Sequence, residues 1–162
     1  DAPRVTALLN NYEVTKNLAR VPYPYTLNMA VEWLMHQKRD WSPENVTFAI
    51  SEERAGLIGF CGTHTETHTA EIGYWLGQPF WGRGLMSEAV KAIIGWYFEN
   101  STSDRLISGV FHFNTASLAI QKKFGFVETG LGKRVCIAQD AEIDHIETVL
   151  TRDAFAKALE TR

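Results

Sequence analysis

Residues 71–98, EIGYWLGQPFWGRGLMSEAVKAIIGWYF, carry the densest chemical signal in the chain. An apolar run ends at Leu76, a short turn follows, and Gly82-Arg83-Gly84 opens a stretch of helical period. N–H groups in the first turn of a helix lack an intrahelical acceptor, and the aligned peptide dipoles add roughly half a positive charge there. Glycine lets a phosphate approach that backbone without a Cβ in the way. The loop suits a diphosphate; the same glycines also suit an ordinary turn. Two rival phosphate motifs fit less well. A P-loop needs GxxxxGK[ST], and no Gly-Lys-Ser/Thr occurs here. GRGLMS reads G-x-G-x-x-S, with Asp104 further along, but residues 77–81 separate it from the strand and the third glycine is missing.

Other clusters are weaker. His64 and His68, in HTETH, have i, i+4 spacing, which puts two metal ligands on one face only in a helix. The threonines threaded through residues 64–69 argue for a turn between strands, so no metal is expected. Cys61 and Cys136 stand in no CxxC context and read as small buried hydrophobes of a reducing compartment.

The elements that must position these residues follow from period and punctuation. Asp1 is a candidate N-cap, Pro3 suits a first turn, and Val5, Leu8 and Leu9 have helical spacing. VPYPYT alternates prolines with aromatics and must be extended or turned. Thr26 caps a second helix predicted through Arg39, with Ala30, Trp33, Leu34 and Gln37 on one face. The period then changes: Val46–Ser51, Leu57–Thr63 and Ala70–Leu76 read as an antiparallel meander. Gly84–Glu99 is helical, with Leu85, Ala89, Ala92, Ile93 and Trp96 on one side. Leu106–Phe111 is strand-like, and Asn114–Lys123 is a short helix stopped by FGF at 124–126. Val127–Thr129, Val135–Ala138 and His145–Thr151 form a second group of strands, and Asp153 caps a terminal helix. This order is neither a regular βαβ alternation nor all-β. It predicts an α+β fold, a mostly antiparallel sheet with helices packed on it.

The chain has 162 residues, 45% hydrophobic and 22% charged, with a formal net charge of −3. That length makes a single domain over 1–162, able to bury about two thirds of its unfolded surface. The apolar content is too high for disorder. The mildly acidic balance and the lack of a basic stripe argue against a nucleic-acid partner. No run nears the ~18–20 apolar residues of a membrane helix, and Ala89 to Phe98 is broken by Lys91. The first residues lack a signal peptide's basic-then-apolar pattern. A cytoplasmic protein is expected.

WGRGLMSEAV followed by NTASLAIQKKFGFVETG resembles the GNAT superfamily of acetyl-CoA-dependent N-acetyltransferases. Within it the chain is most similar to the branch of ribosomal-protein N-terminal acetyltransferases (RimJ/RimL-like). PYPYT, IGYWL, Asn-x-x-Ser, Lys-x-Gly-Phe and Asp144-His145 extend the likeness along nearly the whole chain. Two departures stand out. Pro79 occupies the place where the family's loop usually begins with Gln or Arg. The family's first strand, ahead of its first helix, has no counterpart here, which together with the missing initial Met implies an absent N-terminal piece. The resemblance implies a GNAT fold with acetyl-CoA as co-substrate and no metal. It implies that the diphosphate lies on Trp81, Gly82, Arg83, Gly84, Leu85 and Met86. The pantetheine arm would pair like an extra strand with the backbone of Tyr74, Trp75 and Leu76. Asn114 would bond the pantetheine, Ser117 would sit at the CoA sulfur, and Lys123 matches a family lysine.

Transfer to an amine needs the amine neutral, a state an α-amine (~8) reaches more easily than lysine (~10.4). It also needs a proton acceptor, an oxyanion donor such as a backbone N–H near Trp75 or Leu76, and a donor to the leaving thiolate. Glu71, which opens the strand feeding the loop, is the expected base; a strand-end carboxylate facing water is the alternative. Many family members place a Tyr four residues before the Gly of Gly-Phe as the acid. Here Gln121 stands there, and Ser117 is the expected substitute, although Asn114 and Ser117 equally suit helix capping. Tyr23, Tyr25, Asp144 and His145 are candidates for the acceptor side, with Glu142 and Glu147 adding acidity suited to a cation. The expected activity is direct transfer in a ternary complex to a primary amine, a protein N-terminus ahead of a polyamine or aminoglycoside. The competing class is a non-catalytic acyl-CoA-binding module. Expected partners are the acceptor amine and, in a homodimer, a second copy, with no nucleic acid or membrane.

Overall fold

The computed structural model describes residues 1–37 and 41–161. Helix α1 (Ala2–Leu9) starts at Asp1 and buries Val5, Leu8 and Leu9. Asp1 serves through its carbonyl, which accepts from Val5 N at 2.9 Å, and not through its side chain. A single helical turn follows as α2 (Tyr12–Thr15), opened by Asn11 Oδ1 accepting from Glu13 N. Four residues are too few to print a helical period in the sequence, so this element was not foreseen. VPYPYT is non-helical, and Thr26 Oγ1 then accepts from Met29 N to open α3 (Leu27–Met35). The predicted end at Arg39 lies outside the described residues.

Strands β1 (Val46–Glu52), β2 (Gly56–His64) and β3 (Glu71–Leu76) form the predicted antiparallel meander. Helix α4 (Leu85–Asn100) crosses to β4 (Arg105–Phe111), which leads into α5 (Thr115–Lys123). Beyond it, the three predicted segments are two long strands, β5 (Val127–Cys136) and β6 (Ala141–Thr151), joined by a 3-10 turn at Ile137–Gln139. Strand β5 is the edge of the sheet. An edge tolerates glycine and charge in mid-strand, which is why Gly130 to Arg134 hides its continuity. Thr151, not Asp153, caps the last helix α6 (Arg152–Glu160): its Oγ1 accepts from Ala154 N at 3.1 Å.

The sheet order is β1-β2-β3-β4-β6-β5. Every neighbouring pair is antiparallel except β3 and β4, which run parallel and share one register pair, Glu71 with Ile107. Ile107 N donates to Ala70 O at 2.9 Å and Ser108 Oγ to Ile72 O at 2.9 Å. Beyond Ile72 the two strands part. Residues 73–76 are left with β2 on one side and no strand on the other.

Helices cover both faces. The larger core joins Ile58, Ile72, Val90, Ile94, Leu106 and Phe155 beneath α4 and α6; the smaller joins Val5, Leu9, Ala30 and Phe60 beneath α1 and α3. Helix α4 turns Met86, Val90, Ile94 and Tyr97 inward, while Leu85, Ala89, Ile93 and Trp96 sit at the margin and Ala92 is exposed. The predicted face is therefore off by one position. The helix is apolar most of the way round, so its period alone does not choose between adjacent rows. No helix among the described residues is long and apolar enough to cross a membrane.

Candidate active site

Gly82 and Gly84 take φ of +72° and +76°, and a Cβ at either position would meet nothing within 4 Å. Backbone conformation, not crowding, requires glycine here. Gly84 is the N-cap of α4, and no side chain caps that end. The first bond into the helix is Glu88 N to Gly84 O at 3.1 Å, so the N–H groups before it point out of the helix. Trp81 Nε1 donates to Leu76 O at 2.7 Å, fastening the loop to the end of β3, and Asn11 Nδ2 donates to Gln78 Oε1 at 2.7 Å, tying it to the start of α2. Lys123 Nζ stands 3.1 Å from Ser87 Oγ in the first turn of α4 and adds positive charge to the same end. Arg83 is engaged elsewhere, with Glu52 at 2.8 Å.

From this loop a first cleft of about 520 Å³ runs into the gap between β3 and β4. Trp81, Gly82, Gly84, Leu85 and Met86 line one end; Asn114 and Ser117 line the side formed by α5. A second cleft of about 440 Å³ is walled by Tyr25, Trp33, Phe60 and His64. Both are bordered by Glu71, Gly73, Tyr74, Trp75 and Arg134, so the clefts meet across β3.

A buried polar chain crosses the gap. Thr148 Oγ1 donates to Gln121 Oε1 at 2.7 Å, which fixes the amide so that Nε2 donates to Ser108 Oγ at 3.1 Å and to Tyr74 OH at 3.3 Å. The Tyr74 hydroxyl, which accepts from Gln121, also shares a hydrogen bond of 2.7 Å with Ser117 Oγ, in which either oxygen can donate, and lies 3.5 Å from the Ser117 carbonyl oxygen. Ser117 borders the first cleft. Burial pushes the Tyr74 phenol above its ordinary range, a rise that its bonds to Ser117 and Gln121 only partly offset, so the chain stays protonated at neutral pH. Gln121 is buried, and the tyrosine bonded to Ser117 comes from β3, not from α5. Asn114 Oδ1 accepts from Ser117 N at 3.2 Å, capping α5.

A second chain of charge lies on the opposite side. Arg134 Nη1 donates to Glu71 Oε1 at 3.1 Å, and His64 Nε2 lies 3.9 Å from the other carboxylate oxygen. Arg134 also faces Glu147 at 3.6 Å, and Glu147 holds His145 Nδ1 at 2.7 Å. The buried His145 ring packs edge-on against Phe111, centroids 5.6 Å apart, and lies over Gly109, where a Cβ would overlap its Cε1. Nε2 has no partner among the described residues, yet no buried side-chain nitrogen or oxygen there is left unpaired, so it opens into the first cleft. Burial pushes the His64 imidazole below its ordinary value, against the pull of Glu71, with Arg20 and Arg134 adding to the depression. Burial pushes the Cys61 thiol up to about 12.

The remaining expected residues divide. Tyr25 is buried in the wall of the second cleft, and burial pushes its phenol up. Tyr23 is exposed beside Tyr12, centroids 5.6 Å apart, and borders neither cleft. Asp144 faces Lys133 at 3.7 Å on the surface, and Glu142 is likewise exposed away from both clefts. Arg134, Ser108 and the buried role of Gln121 were missed. Arg134 shares one face of β5 with Gly130 and Gly132, an alternation visible only once 127–136 is read as one strand. His64 ends β2 and His68 lies in the following loop, and the described residues hold no group of three metal-binding side chains.

A family model described as "Acetyltransferase (GNAT) domain" matches residues 1–127. The SPbeta prophage-derived uncharacterized N-acetyltransferase YokL of Bacillus subtilis is 23% identical over 146 residues, spanning 88% of this chain and 81% of that protein. The ribosomal-protein-serine acetyltransferase of Escherichia coli is 31% identical over 93 residues, 57% of this chain and 52% of that protein. The solved structure of spermidine N-acetyltransferase from Vibrio cholerae, in complex with CoA and spermine, superposes with a TM-score of 0.77 at 15% identity. It covers 96% of this chain and 92% of that one, a likeness of fold. With the glycine loop, the parted strands and the family match in agreement, the chain belongs to the GNAT family of acetyl-CoA-dependent N-acetyltransferases.

Proposed function

We propose that the protein moves an acetyl group to a protein N-terminal α-amine by direct attack in a ternary complex. The observation that carries this reading is the meeting of two clefts at residues 73–75, one suited to an extended diphosphate-bearing donor and the other to an amine. Three features suit CoA: the outward N–H groups of the 16-residue helix α4, the charge of Lys123, and the free edge of β3 facing two pantetheine amides. Arg83 can exchange Glu52 for a phosphate. Asn114, with Oδ1 engaged in capping, offers its amide nitrogen to the pantetheine. The relative named as a ribosomal-protein-serine acetyltransferase supports the N-terminal acceptor.

Bound acetyl-CoA supplies an acyl group activated as a thioester. Glu71, bordering both clefts, accepts the amine proton directly or through one water, while Arg134 orients its carboxylate. The backbone N–H of Leu76, turned away from β2 toward the free edge of β3, stabilises the developing oxyanion. Ser117 donates to the departing sulfur as the N–C bond forms and the C–S bond breaks, and Tyr74 donates to Ser117 behind it. No acyl-enzyme is required, and the Cys61 thiol, pushed up to about 12, is not a nucleophile at neutral pH. One observation favours a second base: Glu147 holds His145 Nδ1 and leaves Nε2 toward the first cleft.

The test is thiol release from acetyl-CoA with N-terminal peptides, spermidine and an aminoglycoside as acceptors. Peptide-dependent release that Glu71→Gln lowers by about a hundredfold or more supports the reading. Release with only spermidine or the aminoglycoside overturns the acceptor. Full activity in Glu71→Gln, with loss in His145→Asn, moves the base to His145.

A further inference from the structure

We infer that the second cleft is a side-chain pocket selecting an α-amine that adjoins a bulky apolar side chain, and that it rejects polycations; this rests on the N-terminal acceptor proposed above. The floor is a row of aromatic rings: Trp33 meets Phe60 edge-on with centroids 4.8 Å apart, and Phe60 meets Trp75 at 5.7 Å. Leu9 and Tyr25 close the row from behind. Gly73, where a Cβ would touch nothing within 4 Å, leaves the passage to the first cleft unobstructed beside Trp75. An amine at that passage therefore carries its own side chain over the aromatic row.

The charges point the same way. Among the described residues bordering the cleft, Glu71 is the sole carboxylate, and it is tied to Arg134. Arg20 at the rim pairs with Glu66, and burial disfavours the charged form of His64. A linear polyamine brings several ammonium groups, and each one desolvated here without its own carboxylate is penalised. An apolar side chain has the opposite balance, gaining in proportion to the apolar area it covers. Small first residues such as Gly, Ala or Ser leave the aromatic row uncovered.

The experiment is a thiol-release assay at fixed acetyl-CoA with peptides differing only in their first residue (Gly, Ala, Ser, Leu, Met, Phe), and with spermidine. The expected result is a kcat/KM about tenfold or more higher for Leu, Met and Phe than for Gly, Ala and Ser, in line with discrimination by apolar pockets, and lower still for spermidine. Trp33→Ala should erase the preference. Thr47→Trp, at the mouth of the pocket, should depress the Phe peptide more than the Gly peptide and carries the test if Trp33→Ala fails to fold. Turnover with a flat or reversed preference overturns the pocket assignment alone. Turnover of spermidine above every peptide, or of no peptide while acetyl-CoA still binds, overturns the N-terminal acceptor and the pocket with it.

Discussion

Replacing Tyr74 with Phe removes one oxygen that accepts from Gln121 at 3.3 Å and shares a hydrogen bond with Ser117 Oγ at 2.7 Å. Gln121 keeps its bonds to Ser108 at 3.1 Å and Thr148 at 2.7 Å, so the fold loses only about 0.5–1.5 kcal/mol. At this chain length that is a fall in Tm of about 1–6 °C. The catalytic effect is larger in proportion. A hydrogen bond to a charged group is worth about 1.5–3 kcal/mol, so if Ser117 is the donor to the thiolate as proposed, Ser117→Ala lowers kcat about tenfold to a hundredfold. In the proposed mechanism Tyr74 acts through Ser117, holding its hydroxyl at 2.7 Å. Tyr74→Phe should therefore lower kcat by no more than Ser117→Ala does, and the double variant should be no slower than Ser117→Ala alone. The assay is thiol release at saturating acetyl-CoA and peptide, with calorimetric affinity for CoA showing that binding is intact. Multiplying losses in the double variant, or a wild-type kcat in Tyr74→Phe, refutes the proposed coupling of Tyr74 to Ser117.

Two more outcomes follow from the second chain of charge. Burial holds His64 below its ordinary value, so the folded protein resists a proton that the unfolded chain accepts near pH ~6.5. This contribution to stability is intact above that pH and is lost as pH falls below it; a Tm profile should drop less steeply on acidification in His64→Gln than in wild type, and parallel profiles contradict the assignment. Gly109→Ala would overlap His145 Cε1 and stand 2.7 Å from Ile146 O. Overpacking of this kind costs about 1–3 kcal/mol, so calorimetry should find Tm lowered by several degrees, and an unchanged Tm contradicts the packing of His145 over Gly109.

The parts legible in the sequence are those where local chemistry decides structure. Gly82 and Gly84 announce a left-handed turn before a helix, Asn114 announces an N-cap, and the meander shows its period of two. The illegible parts depend on neighbours distant in sequence. Residues 127–136 do not alternate cleanly because they form an exposed edge, so a continuous strand read as two fragments, and Arg134 was lost with it. The inward row of α4 was misplaced because only the sheet beneath selects Met86 over Leu85. The vacant tyrosine position at Gln121 looked like a missing acid. Only the fold, bringing β3 against α5, places Tyr74 beside Ser117 and gives Gln121 a buried anchoring role.

The most direct test of the account follows individual backbone amides by NMR while CoA is titrated into the protein. If the diphosphate rests on the open end of α4 and the pantetheine on the free edge of β3, the N–H signals of residues 82–87 and 73–76 shift furthest. Binding with the largest shifts elsewhere, or no binding at all, contradicts it.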